Sequence, residues 1–119
     1  MKIFNQSTPV FIQVADEIRR DILGGKYLPG VQIPTVRQIA YDVSVNPNTV
    51  QKSLALLEDE GLLFTKGTAG RFVTEDEAHI RGARERMKRE ILERLIGEAE
   101  LLGITRGDIM NYVKKGESV

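Results

Sequence analysis

Apolar residues recur at helical spacing from Thr8 onward: Phe11, Val14, Ile18 and Ile22 fall at threes and fours, and Gly24-Gly25 stops the run. Pro9 suits the first turn of this helix, where its missing N–H removes nothing. Tyr27-Leu28-Pro29-Gly30 then reads as a turn, followed by a short extended piece at Val31-Gln32-Ile33 that Pro34 keeps out of a helix interior. A second, short helix is predicted after Thr35, which with Gln38 three residues later makes a capping box. Val36, Ile39, Ala40 and Val43 mark its buried face, and about two turns is its limit.

Ser44-Val45-Asn46 breaks the period, and Asn46-Pro47 restarts it with an N-cap side chain and a proline at the first helical position. Val50, Leu54 and Leu57 fall on one side of this third helix, and Gly61 closes it. Leu62-Leu63-Phe64 and Arg71-Phe72-Val73 are short β-prone runs flanking Lys66-Gly67-Thr68-Ala69-Gly70, whose glycines permit the tight reversal of a hairpin ending near Thr74. From Asp76 to Leu102 the chain becomes charge-dense and free of proline. Ile80, Ala83, Met87, Ile91, Leu95, Ala99 and Leu102 form an apolar stripe on a predicted helix of roughly 40 Å, at about 1.5 Å per residue. Gly103 caps it, Thr105 with Asp108 opens a last helix through Ile109, Tyr112 and Val113, and the end from Lys115 to Val119 is expected to fray. The expected fold class is therefore mainly α with a small β-hairpin: a winged helix-turn-helix domain over 1–74 and a short helical tail over 75–119.

Composition narrows the chemistry. With 17 basic and 17 acidic residues in 119 the formal net charge is zero, so any basic surface must be local. There is no cysteine and one histidine, His79, which excludes disulfide frameworks, cysteine-rich zinc sites and cysteine nucleophiles. His79 stands near Glu75 and Asp76, which allows at most a loose metal site; an exposed helical histidine is the simpler reading, and no metal and no cofactor are assigned. No stretch approaches the roughly 18 uninterrupted apolar residues of a membrane span, so the chain reads as cytoplasmic, with no membrane partner. Gly67-Thr68-Ala69-Gly70 lies between strands and not before a helix, short of a phosphate-binding fingerprint, and no nucleophile-base set is present, so an enzyme is not expected.

The second and third helices form the two-helix unit that lays one helix in the DNA major groove, and the hairpin supplies a wing. Asn46, Asn48, Thr49, Gln51 and Lys52, at the start of the third helix, are groups able to hydrogen-bond phosphates and base edges, with no acid among them. Glu58, Asp59 and Glu60 stand at the far end, a polarity that presents the helix start to a phosphate backbone.

Together with Pro9, Ile18-Arg19, Ile22, Leu28-Pro29-Gly30, Ile33-Pro34-Thr35-Val36-Arg37-Gln38-Ile39-Ala40, Val45-Asn46-Pro47-Asn48-Thr49-Val50, Leu54, Leu57-Glu58, Gly61-Leu62 and Gly70-Arg71-Phe72-Val73, these residues resemble the GntR-type bacterial transcription regulators over about Thr8 to Val73. Asn46-Pro47-Asn48-Thr49-Val50 resembles the YtrA-type branch, whose members carry a short helical tail. The resemblance implies that Arg37 grips the operator from the second helix, that the start of the third helix contacts bases and phosphates, and that the wing tip enters the minor groove. The candidate DNA-binding set is Thr35, Arg37, Asn46, Asn48, Thr49, Gln51, Lys52, Lys66, Gly67 and Thr68. Many family members place arginines early in the recognition helix, where this chain has Pro47 and Gln51. Adenine pairing by Gln51 or Asn48 then predicts an A/T-leaning half-site.

The tail from Glu75 onward is too short to enclose a metabolite pocket of about 300 Å³ or more. Its long apolar stripe needs a partner, and a second copy is the simplest one, with Ile80, Met87, Ile91, Leu95, Ala99 and Leu102 as the candidate dimer interface. The reading is a homodimeric repressor on a palindromic operator in double-stranded DNA; a small effector, another protein or no signal at all is compatible with release. The rival is a winged-helix module that binds protein, which a salt titration separates from DNA binding. Taken singly, Gln51 and Lys52 are ordinary solvated helix positions, Lys66 a solubilising turn charge, Arg71 simple strand surface, and the tail's charges a solvated face with pairs such as Glu85 with Arg89.

Overall fold

A computed structural model of the chain describes residues 5–118. Its elements are α1 (Val10–Leu23), α2 (Val36–Val43), α3 (Pro47–Asp59), β1 (Leu63–Thr65), β2 (Arg71–Val73), α4 (Glu77–Leu101) and α5 (Arg106–Ser118). They divide into two compact units, the first ending at Arg84 and the second beginning at Glu85.

In the first unit the apolar stripes meet. Val14, Ala15, Ile18, Ile22 and Leu23 of α1, Ile39 and Ala40 of α2, and Val50, Leu54 and Leu57 of α3 are buried together with Ile33, Leu62, Leu63 and Val73. Each large side chain so buried contributes about 1.5–3 kcal/mol relative to exposure. Ser53 is the one fully buried polar residue among those described; its hydroxyl lies 2.7 Å from the Phe11 carbonyl and 3.0 Å from that of Thr49, tying α3 to the start of α1.

Local chemistry sets the element ends. Thr35 and Gln38 form the reciprocal capping box at the head of α2, and Ser44 closes that helix in the left-handed region, at φ 55°. Asn46 caps α3, its side-chain oxygen accepting the Asn48 N–H at 2.7 Å, with Pro47 opening the helix. Gly61 takes φ 77° just beyond α3, a conformation that glycine adopts without steric cost.

β1 and β2 pair antiparallel, Phe64 opposite Phe72, with those rings stacked at 5.7 Å. The extended piece before Pro34 joins them: Gly30 and Ile33 donate to the carbonyls of Val73 and Arg71, and Val73 donates to that of Val31. The hairpin thus gains a third, strand-like neighbour that the sequence marked only as extended. The start of α4 also belongs to this unit. Ile80 is buried, Arg84 Nε donates to the Leu23 carbonyl at 2.7 Å, and His79 Nε2 lies 2.8 Å from the Glu60 carbonyl. A carbonyl only accepts, so Nε2 carries the proton, and the half-buried His79 covers the end of α3 instead of standing free as the sequence suggested.

The second unit holds the rest of α4, the Gly103 turn and α5. Thr105 and Asp108 form the capping box of α5, and α5 continues to Ser118, so residues 115–118 are helical where fraying was expected; Val119 lies outside the described residues.

Candidate nucleic-acid interface

Three pieces of the first unit carry the candidate contacts: the head of α2, the outer face of α3, and the wing. At α2, the Thr35 hydroxyl accepts the Gln38 N–H at 3.1 Å while keeping its own O–H free to donate. Arg37, one position into the helix, is exposed and has no hydrogen-bond or ion-pair partner among the described residues, so its full fork of donors is available.

Because Val50, Ser53, Leu54 and Leu57 point inward, helical periodicity turns Asn48, Gln51, Lys52 and Ala55 outward, and all four are exposed. Asn46 is exposed but its oxygen is committed to the cap; Thr49 is half-buried. The Lys52 ammonium lies 5.3 Å from the centre of the Phe11 ring, a cation–π contact that steadies the side chain without consuming its N–H donors.

At the wing tip Lys66, Gly67 and Thr68 are exposed, and Gly67 and Gly70 take φ 54° and 114°. Gln32 Nε2 donates to the Ala69 carbonyl and holds the tip. Between wing and α3 runs an open groove of about 360 Å³, with Gln32, Thr35, Gln51, Thr65, Thr68 and Arg71 on its walls. Of the sequence-derived candidates, Thr35, Gln51 and Thr68 share that groove; Arg37, Asn46, Asn48, Lys52, Lys66 and Gly67 are exposed outside its lining.

Two of the three acids at the far end of α3, Glu58 and Glu60, are not loose charges. Arg19 grips both oxygens of Glu60, at 2.8 and 2.6 Å, and those hydrogen bonds raise its pKa further above the ordinary guanidinium value. Arg71 Nε donates to Glu58, which also accepts the Thr65 hydroxyl at 3.0 Å, and Arg71 Nη1 donates to Gln51 Oε1 at 3.0 Å. Arg71 and Gln32 are the residues that sequence reasoning missed. The only hint of the first was an unpaired Glu58 with an arginine after the wing glycine, since 13 residues separate them. Among the described residues no three His, Asp or Glu side chains are grouped to hold a metal ion, and no helix is long and apolar enough to cross a membrane.

Of the tail candidates, Ile80 and Ala99 are already buried within the single chain, at 4% and 7% exposure, each in its own unit. Met87 is half-buried, while Ile91, Leu95 and Leu102 are exposed at 40%, 47% and 78%.

This arrangement of a two-helix unit and a wing agrees with comparison to known proteins. Residues 12–73 match the model of the gntR family of bacterial regulatory proteins. The chain belongs to the gntR family. It is 30% identical over 110 residues to the transcriptional repressor YtrA of Bacillus subtilis (strain 168), covering 92% of this chain and 85% of that protein. A GntR family transcriptional regulator from Listeria monocytogenes has the same fold over 94% of this chain and 98% of its own, with a TM-score of 0.83 and 32% identity. The DNA-binding domain of AraR, solved in complex with its operator ORX1, matches 60% of this chain and 93% of its own, with a TM-score of 0.57 and 31% identity. As a gntR-type protein this chain is a DNA-binding transcription regulator of the winged helix-turn-helix kind. The gntR match runs from α1 through β2, so every candidate from Thr35 to Thr68 lies inside it.

Proposed function

We propose that this regulator represses transcription as a homodimer on a palindromic operator, acting in the cytoplasm, with 1–74 reading DNA and 75–119 supplying the dimer contact. The observation that carries the reading is the outer face of α3: Asn48, Gln51 and Lys52 stand exposed beside the wing groove, while Glu58 and Glu60 behind them are neutralised by Arg71 and Arg19. A phosphate backbone therefore meets donors and a positive helix end, not acids. Arg37 and Lys66 add cationic phosphate contacts, and Thr35, Asn46, Thr49, Gly67 and Thr68 complete the set. The repressor YtrA and the operator complex of AraR support carrying this role over.

Dimerisation rests on Ile91, Leu95 and Leu102, whose exposure leaves an apolar surface that a second copy covers. Ile80 and Ala99, occupied within their own chain, fall out of that interface. A two-fold dimer sets its recognition helices about 34 Å apart, one turn of duplex. Repression then follows by occlusion of the promoter, which needs no catalytic step.

Footprinting of the full chain on its home genome, with a salt series, tests this. The expected result is a protected site with two-fold symmetry and log K falling linearly with log salt. An Arg37→Ala variant should bind about tenfold more weakly, its salt slope shallower by about one for each phosphate that Arg37 neutralises. A protected site without two-fold symmetry, or affinity indifferent to salt, overturns the reading.

A further inference from the structure

We infer that Arg71, on the wing, decides which base edge the recognition helix reads, by holding the Gln51 carbonyl and leaving the Gln51 amino group to face the DNA. This rests on the proposed docking of α3 in the major groove.

The geometry is constrained at both ends. The Arg71 side chain is only 19% exposed; its Nε is spent on Glu58, and Glu58 is held in turn by the Thr65 hydroxyl at 3.0 Å. With the guanidinium plane so anchored, its Nη1 donates to Gln51 Oε1 at 3.0 Å. Guanidinium has donors and no acceptor, so the Gln51 atom facing it must be the oxygen and never the nitrogen. The free end of the Gln51 amide is consequently Nε2, with two N–H donors, on the wall of the groove that both residues line. Polarisation by the cation makes those N–H groups stronger donors.

Base chemistry converts this into a preference. Adenine offers a mixed edge in the major groove, a donor at N6 and an acceptor at N7, which glutamine matches only when its oxygen and nitrogen both face the base. Guanine offers two acceptors, O6 and N7, and suits a side chain that presents donors alone. With its oxygen turned toward Arg71 and Nε2 left to meet the base, Gln51 selects guanine, so the A/T-leaning half-site expected from the bare side chains gives way at this one position. Arg71 is a positioning residue here: it acts through Gln51.

The test is selection of binding sites from randomised duplexes by the full chain, comparing the unaltered protein with Gln51→Ala, Arg71→Lys, and Arg71→Gln combined with Glu58→Gln. The double variant avoids a carboxylate without its partner, and thermal melts verify folding. The unaltered protein should favour guanine over adenine by about tenfold at one symmetry-related position in each half-site. Gln51→Ala should abolish that preference, and both Arg71 variants should move it toward adenine while the other positions keep theirs. A merely structural role for Arg71 would lower affinity at every position alike and leave the guanine preference intact, which overturns the proposal, as does an adenine preference in the unaltered protein, a result that needs no variant. If the unaltered protein selects no sequence at all, the DNA-reading role of α3 itself falls, and with it this inference.

Discussion

The two compact units use the same helical periodicity and reach different ends. In the first, the stripes of α1, α2 and α3 close on one another and on the wing, and Val14, Val50, Leu54, Leu57, Leu62 and Val73 are 1% exposed or less. In the second, Ile91, Leu92, Leu95, Leu101, Leu102, Met110, Tyr112 and Val113 are all exposed by 40% or more. The first unit has its exposed large apolar residues too, Tyr41 on α2 and Leu28 in the turn after α1 among them. The lesson is one of element number. Three helices and a small sheet can enclose their apolar faces, whereas two helices joined by a turn leave theirs open, and the proposed dimer contact rests on that open face.

Core truncation should have the largest effect and sharpen the contrast. Leu57→Ala removes a side chain with no exposure, and its cavity should cost about 2–5 kcal/mol of unfolding free energy in a thermal or urea melt. Leu102→Ala, at a position 78% exposed, should cost less than about 0.5 kcal/mol when the chain is dilute enough to be monomeric. Equal losses would mean that Leu102 is as enclosed as Leu57.

Next in size is a change confined to the second unit. Replacing Ile91 and Leu95 with glutamate places charge on the open face, and sedimentation should find a monomer whose first unit melts as it does in the unaltered chain when that is dilute enough to be monomeric. Affinity for a palindromic duplex should fall about 100-fold, since the second half-site no longer adds its binding. A variant that remains dimeric locates the partner surface elsewhere.

What the sequence disclosed follows the same division. Elements closed by local chemistry were legible residue by residue: the Thr35–Gln38 capping box, the Asn46-Pro47 start and the turn at Gly103 stand where their side chains and φ preferences put them. Contacts made across the fold were not. His79 reads as an exposed helical residue until α4 is seen lying over the end of α3, and Arg71 reads as strand surface until β2 brings it beside Glu58 and Gln51. The α4 stripe was legible as apolar, but periodicity does not say which residues a single chain already covers. Ile80 and Ala99 lie on the same stripe as Ile91 and Leu95 and have the opposite fate.

Helix caps give a finer comparison. Asn46→Ala leaves the Asn48 N–H without its acceptor at the head of a packed helix, which should cost about 1 kcal/mol and lower Tm by about 4–8 °C. Because α3 is held by its buried face, the helix should persist and the whole first unit should melt together.

The cap of α5 should behave differently, and its effect is the smallest. The Asp108 carboxylate accepts the Thr105 N–H at 2.9 Å, and this backbone hydrogen bond, aided by the Thr105 hydroxyl, holds its pKa below the ordinary 3.8. A carboxylate with a lowered folded value contributes stability that is complete above its unfolded pKa and is lost as pH falls through the folded one. The Thr105 amide resonance should therefore titrate with its midpoint below the ordinary 3.8. In Asp108→Asn that titration should vanish. A midpoint at or above the ordinary value would mean that the exposed cap does not hold in solution, and that α5, lacking the tertiary burial that secures α3, starts elsewhere.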